Sequence, residues 1–233
     1  MSIAPLFSRP GVGSARQAQY RNVFKEAGRL QFFPGGGVID GASRDYGNAL
    51  NLFLLRPGLL MGRVTSTKKC KPSVLGVSQG AYTATGTSLT VTAAQAVEIA
   101  RRVGASGNLY YVGPPAAAGT VATTGPIAFS AINTTTGVIT TADIGVNKIA
   151  GTFVVAGDGS EVPRSLIPDG YGVEIPTDSS DVDFPMIPDE GVVESSKILD
   201  WPTDTSLQAY IMASLTAAGY GSKYIFDHLM NPS

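Results

Sequence analysis

Glycine and proline punctuate this chain so densely that few stretches are long enough for a helix. There are 28 glycines and 15 prolines among 233 residues, against roughly 12% for the two together in an average domain. Between the breaks lie short runs rich in Val, Ile, Thr and Tyr, the residues that suit a pleated, half-buried surface. Residues 62–65 and 73–77 read as a hairpin joined by a polar, Lys-rich turn over 67–71. Further strands are expected within 82–92 and at 108–112, 121–124, 127–131 and 138–141, with Asn133 to Gly137 closing a hairpin between the last two. Residues 148–156 and 161–167 flank an Asp158-Gly159 turn, and Tyr224 to Phe226 reads as a last strand. Short strands at regular spacing predict a β-barrel or sandwich.

Two windows escape the punctuation. Thr92-Ala-Ala-Gln95 is a capping box, with Ala93, Ala94, Val97, Ile99, Ala100 and Val103 following before Gly104. Thr205-Ser-Leu-Gln208 is a second, opening a helix toward Gly219 with Leu207, Tyr210, Ile211 and Leu215 as its apolar stripe. Residues 14–27 also allow a short helix, with Ser14 as cap and Gly28 beyond its end. The expected fold class is mainly β with two short helices: a barrel- or sandwich-like core carrying α+β elaborations.

Three regions differ in texture. Residues 1–50 hold five arginines, a triple glycine at 35–37 and aromatics separated by Pro and Gly. Such a stretch cannot build a core alone, so it reads as an arm that buries its rings on another molecule. Phe7, Arg9, Tyr20, Phe24, Phe32 and Phe33 are its candidate contacts. Residues 51–175 form the expected β-rich body, with a helix-containing elaboration over about 78–146. Residues 176–233 form an extension with one helix.

Composition removes several classes of function. With 43% hydrophobic and 15% charged residues the chain is no disordered polyelectrolyte. Its 17 basic and 18 acidic residues, without a basic block, argue against nucleic-acid binding. Cys70 and His228 are each the sole residue of their type, which excludes an intrachain disulfide and a Cys/His zinc site. Residues 50–61 are apolar but broken by Asn51, Arg56, Pro57 and Gly58, so no bilayer span is expected. The first ten residues lack an apolar signal core, and maturation without export is expected.

No catalytic motif survives its context. Gly76-Val-Ser78-Gln-Gly80 matches a nucleophile elbow, and His228 follows in hydrolase order. The elbow requires a helix directly after the serine, and residues 81–88 begin none. Asp178, Asp181 and Asp183 lack the Gly and Glu spacing of a calcium loop. Gly11-Val-Gly13 follows no strand. Cys70 among Lys68, Lys69 and Lys71 has cations but no partner base. We expect no enzyme and no cofactor or metal.

One resemblance brings these observations together. Leu55-Arg56-Pro57-Gly58, Met61-Gly62-Arg63-Val64-Thr65, Lys69-Cys70-Lys71-Pro72 and Val74 to Val77 resemble the opening hairpin of the head decoration proteins of tailed bacteriophages. Residues 147–153 and Gly157-Asp158-Gly159-Ser160-Glu161-Val162-Pro163 resemble the strand–turn–strand that follows it in that family. Residues 97–121 and 133–140 look like the elaboration of its larger members. The lambda-type members are much shorter and have no counterpart of the Trp201-Pro202 tail. The resemblance implies a capsid-stabilising cement protein on the outer surface of a virion. It would be assembled in the host cytoplasm, bind the major capsid protein through an N-terminal arm, and self-associate, usually as a trimer. It implies no nucleic-acid or membrane partner. The alternative is a phage fibre or tail protein that binds a receptor or glycan, with Trp201, Tyr110 and Tyr111 as stacking platforms.

Overall fold

The computed structural model describes residues 21–25, 31–32, 35–114, 121–184, 188–216 and 223–226. Its strands in chain order begin with β1 (Gln31–Phe32), β2 (Gly37–Ile39), β3 (Leu54–Leu55), β4 (Leu60–Arg63) and β5 (Cys70–Pro72). They continue with β6 (Gly76–Val77), β7 (Ser88–Thr90), β8 (Gly107–Gly113), β9 (Ala122–Ile132) and β10 (Val138–Thr141). The rest are β11 (Phe153–Val155), β12 (Pro163–Leu166), β13 (Val173–Glu174), β14 (Val182–Phe184), β15 (Pro188–Val193) and β16 (Lys223–Phe226). Helices α1 (Ala93–Val103) and α2 (Thr205–Thr216) complete a mainly β fold with two short α-helices.

Six strands form an antiparallel sheet in the order β6-β11-β8-β9-β10-β7, and five more run β12-β4-β5-β2-β14. Residues 62–65 do not pair with 73–77 as expected: β4 pairs with β5, which starts within the expected turn, from Met61↔Pro72 to Arg63↔Cys70, while β6 pairs with β11 in the six-stranded sheet. The two strands expected at 121–131 are one, because β9 continues through Gly125-Pro126. Gly125 lies against Tyr110, where a Cβ would come within 2.7 Å of the ring. The sheet accepts the break by shifting register between Leu109 and Tyr111.

Alternation in β8 and β11 makes the six-stranded sheet apolar on both faces. Leu109, Tyr111 and Val154 point to one side, where Ala96 and Ile99 of α1 cover them. Val112, Phe153 and Val155 point to the other, into a core shared with Leu60 and Leu166 of the five-stranded sheet. That second core also takes Leu207, Ile211 and Leu215 of α2, Phe226 of β16, and Val23 and Phe24.

Helix α1 starts as expected. Thr92 Oγ1 accepts from Gln95 N at 3.3 Å and Gln95 Oε1 accepts from Thr92 N at 3.0 Å. The same Gln95 oxygen accepts from Val77 N at 3.2 Å, so the capping residue also satisfies an amide at the end of β6. The cap of α2 lies one residue before the expected one: Asp204 Oδ1 accepts from Leu207 N at 2.9 Å, and Thr205 is the first residue of the helix. A carboxylate serves the orphan amides better there, by adding charge at the positive end of the helix.

The division into arm, body and extension is not how the core is built. Residues 21–25 form no helix. Arg21 bridges Gly170 and Phe24 bridges Val193, and Lys25 N donates to Val192 O at 2.9 Å. Asp169 Oδ1 accepts from Val23 N and from Phe24 N. Val23 is 0% and Phe24 4% exposed. Phe24 is therefore a core residue and not a partner contact. Ile39 of β2 is equally enclosed, against Leu55, Met61 and Cys70. Pro- and Gly-separated rings indeed make no core by themselves, but here they complete one that later strands begin.

Two outcomes follow. Phe24→Ala should cost about 3–5 kcal/mol in urea unfolding, the usual penalty for emptying a buried phenylalanine site. Deleting residues 1–36 should leave a chain without a cooperative transition, because it removes Val23 and Phe24 together.

Candidate functional site

The two segments that carry the decoration-protein resemblance are far apart in sequence and adjacent in space. Strand β12 pairs with β4, placing Pro163 opposite Gly62, and Thr65 N donates to Asp158 O at 2.8 Å. Gly62 is required here, since a Cβ would come within 1.9 Å of Ser160 O. One side chain pins the junction from the elaboration. Arg102, in the last turn of α1, donates through Nη1 to Pro72 O at 2.6 Å and through Nη2 to Ser160 Oγ. Its Nη2 also lies 3.4 Å from Asp158 Oδ2. The turn itself is closed by Asp158 Oδ1, which accepts from Ser160 N at 3.0 Å and from Ser160 Oγ.

The Arg102 side chain is 6% exposed and that of Asp158 32%. Desolvation lowers the pKa of Arg102 below the usual guanidinium range. Burial alone would raise the Asp158 carboxyl, but the Ser160 hydrogen bonds and the Arg102 charge outweigh it and hold the pKa below the ordinary value. A second ion pair stands at the Arg-Pro-Gly motif. Arg56 grips Asp45 with two hydrogen bonds, Nε to Oδ2 at 2.6 Å and Nη2 to Oδ1 at 2.9 Å, with the Asp45 side chain 1% exposed.

The elaboration has a surface unlike the rest of the molecule. Residues 72–147 contain only four of the chain's 17 basic and 18 acidic side chains: Glu98, Arg101, Arg102 and Asp143. Glu98 is buried and paired with Arg101 at 2.7 Å, and Arg102 is spent on the junction. The inner face of β7, β9 and β10 gives Leu89, Ile127, Phe129 and Ile139 to the core. The outer face shows Ser88, Thr90, Ala128, Ala131, Val138 and Thr140 to solvent. A shallow groove of about 590 Å³ runs along the β9–β10 hairpin between Ala131, Asn133, Thr136, Val138 and Thr140. The hairpin tip is held by Asn133 Oδ1, which accepts from Thr135 N at 2.9 Å and Thr136 N at 3.0 Å. Gly137, at φ +78, closes it where a Cβ would strike Val91 O.

Of the expected contacts, Phe32 lies on β1, which pairs with β15, and Phe24 is in the core. Phe7, Arg9, Tyr20 and Phe33 lie outside the described residues, as does His228. Ser78 is 2% exposed, donates toward Ile149 O at 3.4 Å and accepts from Thr152 N at 3.1 Å, with no helix following it. It is a structural hydroxyl. Two of the three lysines around buried Cys70 meet carboxylates: Lys69 pairs with Asp181 at 2.6 Å and Lys71 with Asp40 at 3.3 Å. Asp181 also accepts from Gly41 N, so the acidic loop is tied to the body. Tyr111 is 0% exposed beside Tyr82, Tyr110 lies under Gly157, and Trp201 stacks on Phe226 at 6.1 Å. Of the three, Tyr111 is fully enclosed, while Tyr110 and Trp201 are half-buried.

Among the described residues no three metal-ligating side chains converge, and no helix is long and apolar enough to cross a membrane. No family model, no curated protein and no solved structure matches this chain.

Arg102→Ala should destabilise the protein by about 3 kcal/mol, because it strips a buried charge network of one partner. Asp158 has a depressed folded-state pKa, so its contribution is present above its unfolded pKa and lost as pH falls through the lower folded value. Urea midpoints of wild type and Asp158→Asn should therefore differ at pH 7 and converge below about pH 4.

Proposed function

We propose that this chain is a structural virion protein: a decoration, or cement, protein that binds the outer surface of a tailed-phage capsid and stabilises the shell without catalysis. The observation that carries the reading is the junction just described. The segments resembling the family's opening hairpin and its strand–turn–strand are separated by the whole elaboration, yet β4, β5 and β12 close around the Asp158–Ser160 turn as one unit. The neutral, rigidly mounted lobe at residues 78–146 supports a docking role, since interface cores are depleted of charge.

The contact with the major capsid protein is assigned to the residues before Arg21, among them Phe7, Arg9 and Tyr20. Arg21 sets where they join the body, through its bridge to Gly170. A standard interface buries about 1,600 Å², and cement action comes from repeating a modest affinity over many sites on one shell.

The test is co-sedimentation with expanded heads of the virus that encodes the chain. Deleting residues 1–20 should leave the melting transition unchanged and abolish attachment. Attachment of the truncated body at wild-type occupancy would refute the assignment, and label on the tail alone would favour the fibre alternative.

A further inference from the structure

We draw no further inference here: the strongest candidate, the apolar surface patch that Leu50 (89% exposed) and Leu52 (41% exposed) raise on the loop between Asp45 and Arg56, carries nothing because nothing in the structure shows what covers it.

Discussion

A sheet that is apolar on both faces must be covered twice, and that requirement organises this molecule. Strands β8 and β11 send Leu109, Tyr111 and Val154 one way and Val112, Phe153 and Val155 the other. The first cover is local: α1 ends four residues before β8 begins and folds back on the same sheet. The second is not local at all. It is assembled from Leu60 and Leu166 of the neighbouring sheet, Val23 and Phe24 near the beginning of the chain, and α2 and Phe226 near its end. Both ends are thus recruited by one hydrophobic surface, and neither can be removed as a module.

The elaboration is mounted on this framework by a charge in a confined place. Arg102 reaches Pro72, Asp158 and Ser160 together, from the last turn of a helix whose first turn is tied to β6 through Gln95. The lobe is held at both ends of α1. A buried ion pair is weak evidence for net stability but strong evidence for a fixed arrangement, since removing one partner leaves the other uncompensated. What it fixes here is the direction in which a neutral, smooth sheet face is presented.

What the sequence disclosed, and what it concealed, follows the range of the forces involved. The capping box at Thr92 and Gln95 is legible because its partners are three residues apart, and the hairpin at 122–141 because its turn carries Asn133 and Gly137 at fixed offsets, whereas the partner of β4 is displaced from 73–77 to Cys70–Pro72. Asp204 and Thr205 both satisfy a capping pattern in the sequence, and only geometry chooses Asp204. Residues 21–25 were opaque: their bridges go to Gly170 and Val193, well over a hundred positions away, and nothing local announces them. Phe24, expected at a partner surface, lies in the core for that reason. The bare face was hidden differently. A net charge of −1 conceals that residues 72–147 are almost without charge, and only the register shows that Thr90, Val138 and Thr140 share a side. Ser78 is followed by no helix, and its hydroxyl hydrogen-bonds Ile149 O and Thr152 N.

The central claim is that the chain is one cooperative body whose second core face is closed by its two ends. Native-state hydrogen exchange of individual amides tests it most directly. The account predicts that the amides of Phe24 and Lys25 exchange only through the same global opening that exposes Tyr111 and Val154. Exchange of Phe24 and Lys25 at the rate of an unfolded peptide, with Tyr111 and Val154 still protected, would contradict it.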